Sequence, residues 1–298
     1  MGRATDEMGG SFARQFGQEH PSILVGTDWQ GMSRDDLATV GNSLQNVSDF
    51  PMVAERLIQG MVNQWVLTRS FQGTCRELPD LLNEGEPVIA ADEAYFIGIS
   101  QGGILGGTFM ATSPDIERGT LIVGAMNFPF TMTRSLNWAD YELILRAWND
   151  RRIDREFLVH AMISLWDLAE PNAYLPHAVH DPLPDTPVKK ILYQVAEGDL
   201  QVQTIAADAA VRTLDIPLLS PALHPVWGVE ELTGPLDSAY VYYDLGEPLP
   251  AMENYVPEQI NDVHNQQRGI EAAREQIDAF FRPDGMIENF CDGPCDPQ

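Results

Sequence analysis

Lysine is almost missing from this chain. Lys189 and Lys190 are the only two in 298 residues, and all basic residues together number 18 against 44 aspartates and glutamates. The net charge of −26 argues against a nucleic-acid partner, because phosphate binding needs concentrated positive charge and little is on offer outside Arg151, Arg152 and Arg155. A carboxylate-rich surface keeps a protein dissolved and also resembles the composition of salt-adapted proteins. Long apolar runs are absent as well: nothing reaches the roughly 18 residues needed to span a bilayer. The first twenty residues carry Asp6, Glu7, Arg14 and Glu19 where a signal peptide would have its apolar core. Of the three cysteines, Cys75 lies in a polar stretch and is expected to be unpaired. Cys291 and Cys295 flank Asp-Gly-Pro, a bend that would close a small disulfide loop and imply an oxidising compartment; the alternative is two reduced thiols. Zinc needs about four ligands and no further Cys or His lies nearby in sequence, so neither a metal nor another cofactor is expected. With no G-x-G-x-x-G or Walker spacing present, the glycines from 103 to 107 read as close helix packing rather than a phosphate cradle.

What is present is a chain long and apolar enough, at 44% hydrophobic residues, to build one large α/β domain with an insertion. Buried-strand patterns occur at Ser22–Gly26, Ala94–Ile97, Thr120–Ala125, Lys190–Ala196 and Ala239–Tyr243. Helical spacing runs from Asp35 to Val40, from Met52 to Ser70 and from Arg268 to Phe281. Strands alternating with helices predict a doubly wound, mostly parallel sheet covered on both faces. Residues 1–132 and 183–298 form the expected core, and 133–182, which has no strand pattern, a helical cap. Its aromatic residues are mainly core, but a cap over the strand ends would let Trp138, Trp148 and Trp166 line an apolar pocket.

The most specific motif is Gly98-Ile99-Ser100-Gln101-Gly102, a G-x-S-x-G between a strand and a helix. That context describes a nucleophile elbow, in which glycines let the turn tighten until the serine hydroxyl stands clear. A serine hydroxyl is a poor nucleophile unless a histidine takes its proton and a carboxylate orients that histidine. Asp199 follows the strand ending at Ala196, as does its competitor Glu197; a Gly-Asp pair also suits a turn or helix cap. Of six histidines, His264 alone lies between the last strand and the closing helix. The order Ser100, Asp199, His264 is the order of a hydrolase triad.

On Gly98–Gly102, on Glu-Gly-Asp-Leu-Gln-Val around Asp199 and on Asn-Asp-Val-His ending at His264, the chain resembles the serine esterases and lipases of the α/β-hydrolase superfamily over almost its whole length. The resemblance implies a carboxylesterase for small to medium acyl esters, with Ser100 as nucleophile, His264 as base, Asp199 as its partner and the Gln101 amide in the oxyanion hole. Only that amide is needed, leaving the Gln101 side chain free to face elsewhere. Amide or thioester hydrolysis would use the same triad, and a non-catalytic binding protein on the same fold is the other reading. Gly26-Thr-Asp-Trp-Gln-Gly-Met-Ser33 looks like the D-x-x-G-x-x-S-type loop after the fourth strand of many such enzymes. The family's His-Gly motif, which carries the second oxyanion donor, has no counterpart here. Three outcomes follow: Ser22–Gly26 fills the vacant strand place and Asp28 or Trp29 supplies an amide; two chains complete each other's sheet as a homo-oligomer; or the chain is a weakly active fragment. The tail from Asn289 to Cys295 looks like that of exported bacterial hydrolases, an expectation of periplasmic or extracellular location.

Overall fold

The two-residue period of its strands builds the sheet at the centre of the fold. Along Lys190–Ala196, Ile191, Tyr193 and Val195 enter one buried apolar cluster while Leu192 and Ala196 enter another, as a strand alternating between two covered faces must. The computed structural model describes residues 1–296. In it six parallel strands, β1 (Phe96–Ile99), β2 (Arg118–Ile122), β3 (Lys190–Ala196), β4 (Leu218–Ser220), β5 (Glu231–Thr233) and β6 (Ala239–Tyr243), form one sheet in the order β1-β2-β3-β6-β4-β5.

Helices cover both faces. Before the sheet come α1 (Ala4–Met8), α2 (Ser11–Glu19), α3 (Leu37–Gln45) and α4 (Pro51–Gln72), and α5 (Gln101–Thr112) joins β1 to β2. Between β2 and β3 stand α6 (Phe128–Met132), α7 (Ala139–Arg146), α8 (Arg152–Ala161), α9 (Ile163–Trp166) and α10 (Pro176–Val179), with no strand among them. Next is α11 (Thr204–Leu214), and after β6 come α12 (Val263–Gln266) and α13 (Glu271–Phe280). Phe12 and Phe16 of α2 join Ile277 and Phe280 of α13 on one face; Val53 and Leu57 of α4 join Ile104 and Leu105 of α5 on the other. No described helix is long and apolar enough to cross a membrane. Cys291 and Cys295 are disulfide-bonded, and Cys75 is free.

The segment Ser22–Gly26 departs from expectation. It is unpaired and belongs to no strand; Leu24 packs against the α2–α13 cluster while Ile23 and Val25 stay exposed. A short apolar run suits an extended backbone, but a strand exists only where a neighbour completes its ladder. The outer side of β1 has no strand partner among the described residues. Two short strands, β4 and β5, were not legible at three residues each. The expected strand at 120–125 begins at Arg118 and ends at Ile122, because Val123 turns to a φ of 43°.

Candidate functional site

The turn after β1 holds its backbone in a conformation that few residues adopt. Ser100 holds φ 57° and ψ −118°, a conformation that costs a non-glycine residue roughly 1–3 kcal/mol and persists only where its surroundings impose it. Here its N–H donates to the Ile122 carbonyl at 2.9 Å, while its carbonyl accepts from Ile104 N–H at 2.9 Å. A Cβ at Gly98 would lie 2.2 Å from the Gly102 carbonyl oxygen, and one at Gly103 2.7 Å from that of Ile122. At Gly102 the nearest atom would be 3.6 Å away, so the close approach falls at Gly98 and Gly103 rather than on both motif glycines. The Gln101 amide belongs to the first turn of α5, where N–H groups have no partner inside the helix.

Asp199 and His264 meet. His264 Nδ1 and Asp199 Oδ2 are 2.6 Å apart, with the two side chains 5% and 1% exposed. Asp199 also plays the turn role: its Oδ1 accepts the N–H groups of Gln201 and Val202 at 2.7 and 3.0 Å. These bonds leave Oδ2 for the imidazole, and with Nδ1 engaged there, Nε2 faces the other way around the ring. Asn261 Nδ2 donates to the Gly198 carbonyl at 2.8 Å, tying the histidine loop to the aspartate loop. Glu197 is engaged elsewhere, against His224, and burial pushes its carboxyl above the usual range despite that partner.

Ser100 sits at the end of β1 and Asp199 just past β3, two strand spacings or roughly 10 Å across the sheet. A histidine held by the aspartate is the right size to span most of that gap. Neither Ser100 Oγ nor His264 Nε2 has a hydrogen-bond partner among the described residues, so the serine–histidine bond itself is not made here.

A cavity of about 1300 Å³ opens beside Ser100. Asp28, Trp29, Gln101, Trp138 and Trp166 line it, and so do Ser22–Thr27 and the outer strand β1. Trp138 is buried and stacks on Tyr141 with ring centres 6.0 Å apart; Trp166 packs on Phe128 at 4.4 Å, so both rings serve core and cavity together. Trp148 is a correction to the expected pocket. It lies just past α7, half-exposed and away from the cavity, where its indole donates to the Leu44 carbonyl at 3.0 Å. That carbonyl is in the last turn of α3 and needs a partner from outside the helix, which fixes the ring there.

The loop bearing Asp28 and Trp29 is held from three sides. Buried Asp36 accepts the N–H of Gly31 at 2.7 Å, the N–H and hydroxyl of Ser33 at 3.0 and 2.6 Å, and the guanidinium of Arg56. Burial opposes its ionisation, but these donors prevail and keep the carboxyl below its ordinary range. Gly60 of α4 approaches the Gln30 backbone so closely that a Cβ would lie 3.0 Å from its oxygen. The Gln101 side chain, expected to be free, donates to the Met32 carbonyl at 2.9 Å and joins this loop to the turn at Ser100. The Asp28 carboxylate accepts the Ala4 N–H at 2.6 Å, and the backbone N–H groups of Asp28 and Trp29 donate to no described residue.

Among the lining side chains Arg3 is the one cation, and it is paired with Asp35 at 2.5 Å; Glu7, Asp28, Glu93 and Asp140 add negative charge. No group of three or more His, Cys, Asp or Glu among the described residues is arranged to hold a metal ion. Comparison with known proteins yields no match, either to a protein-family model or to a curated protein.

Proposed function

We propose that the chain is a serine hydrolase of the α/β-hydrolase type acting on neutral, small to medium acyl esters. The observation that carries this reading is the buried His264–Asp199 pair, 2.6 Å apart at the same end of the parallel sheet as a serine in a strained strand-to-helix turn. In the reaction Ser100 Oγ bonds to the ester carbonyl carbon, its proton passes to His264 Nε2 and the carbonyl π electrons move onto oxygen. Asp199 keeps Nδ1 protonated and stabilises the imidazolium, while the Gln101 amide donates to the oxyanion. Collapse breaks the bond to the alcohol oxygen, which takes the proton from His264. Water then repeats the sequence on the acyl-enzyme, returning the proton to Ser100. The cavity's carboxylates and its single, paired cation favour uncharged acyl groups over those carrying a carboxylate.

A second reading has its own support. Ser100 Oγ does not hydrogen-bond His264, and neither His264 nor Asp199 lines the cavity, as expected of a binding protein that keeps the fold without the chemistry. Apo hydrolases also show long nucleophile–base distances, so the geometry alone leaves the enzyme reading standing. Fluorophosphonate labelling separates the two. The enzyme reading expects stoichiometric modification at Ser100, lost in Ser100→Ala and reduced by at least about a thousandfold in rate in His264→Ala. Folded wild-type protein that resists the reagent would sink it.

A further inference from the structure

The Gln101 amide accounts for one oxyanion donor, and the chain has no His-Gly loop to supply another. We propose that the second donor is the indole Nε1–H of Trp29, a side chain rather than a backbone amide; the inference rests on the serine-hydrolase reading above. The indole nitrogen lies 3.6 Å from the position of a Cβ on Gly102, which places it over the first turn of α5, beside the residues that follow the nucleophile. The Trp29 ring is half-buried, and its indole N–H is neither buried nor bonded among the described residues, which leaves it free to meet a ligand oxygen. The ring lines the same cavity as Ser100 and Gln101.

A donor stabilises a transition state only if it is held in place beforehand. Trp29 is held at both ends. Its ring packs edge-on against Phe109 of α5, with centres 6.4 Å apart. Its carbonyl accepts the Met32 N–H at 2.9 Å, and the Met32 carbonyl takes the Gln101 side-chain bond. The residue that gives the first donor from its backbone therefore positions the second through its side chain. Asp36, Arg56 and Gly60 fix the remainder of the loop.

Trp29→Phe tests this directly, since it keeps the ring and the backbone amide and removes the N–H alone. Active sites are first titrated to completion with a fluorophosphonate, so that every rate is per competent serine, and p-nitrophenyl butyrate is the substrate. The expected result is a kcat about a hundredfold to a thousandfold lower with KM changed by less than about threefold, and a trifluoromethyl ketone inhibitor weakened in parallel. Trp29→His, which restores a ring N–H, should recover part of the loss. A labelled Trp29→Phe enzyme with wild-type kcat overturns the inference and assigns the donor to a backbone amide. Raised KM at unchanged kcat overturns it too, leaving the ring as a cavity wall, as does equal loss in Trp29→Phe and Trp29→His. Wild-type protein that neither labels nor turns over would bring down the hydrolase reading and this inference with it, and only that outcome involves the unmutated chain.

Discussion

Gly98 and Gly102 are equivalent in the G-x-S-x-G motif but not in space. A methyl group at Gly98 would meet the Gly102 carbonyl at 2.2 Å, a backbone atom that cannot move without opening the turn. At Gly102 the added carbon would be in ordinary contact at 3.6 Å. Gly98→Ala is expected to lower stability by about 1–3 kcal/mol or more, as overpacking against rigid atoms does. Gly102→Ala should stay within about 0.5 kcal/mol of wild type. Urea denaturation of the two variants checks the contrast, and equal effects would mean that the turn tolerates a side chain where the contacts forbid one. At this scale the motif placed Ser100 in the strand-to-helix turn, and only the contacts distinguished the glycine that the turn needs from the one it can spare.

Among the connecting elements, the later part of the segment between β2 and β3 is tied back to its beginning by Glu170. Fully buried, this side chain accepts the Phe128 N–H on Oε1 at 2.9 Å and the Asn172 N–H on Oε2 at 2.5 Å. Burial nonetheless dominates these bonds and pushes the carboxyl up to about 7 from an ordinary 4.5. The folded protein therefore binds this proton more tightly than the unfolded chain does. The group's contribution is fully present below about pH 4.5 and is lost as pH rises through about 7, a change on the order of 3 kcal/mol. Glu170→Gln cannot titrate. It should begin less stable at pH 5, having exchanged one carboxyl oxygen for an NH2 that cannot accept the Asn172 N–H, and lose less stability than wild type between pH 5 and 8. Melting temperatures at the two pH values measure that difference in slope; parallel curves would exclude Glu170 as its source. Phe128 and Trp166 line the cavity on either side of this anchor, so the variant is also expected to loosen the cavity wall.

Across the whole molecule, 26 uncompensated negative charges repel one another in the folded state more than in the expanded chain. Raising salt from about 0.1 to 1 M shortens the screening length from about 10 to 3 Å, which weakens this repulsion. The melting temperature is expected to rise by several degrees over that range in sodium chloride. A fall would mean that the surface ion pairs, such as Arg69–Asp115 and Arg274–Glu19, outweigh the net charge.

Local pattern was enough to identify β3 and β6 at their observed bounds and α4 to within two residues, because the two strands are buried and largely apolar and the helix is long. Chain order and turn chemistry likewise selected Asp199 and His264, two residues 65 positions apart that the structure brings to 2.6 Å. Other features had no local signature. The strands β4 and β5 are too short to show a period, and Ser22–Gly26 has a strand pattern without a strand neighbour. Trp138, Trp148 and Trp166 look alike as residues, and only helix packing sends two to the cavity and one to the end of α3. The alternation of strands and helices, the acidic surface and the candidate triad all follow from side-chain type and order along the chain. Only the folded chain brings the indole of Trp29 beside Gly102 and bonds Gln101 to the Met32 carbonyl, because these contacts join residues some seventy positions apart.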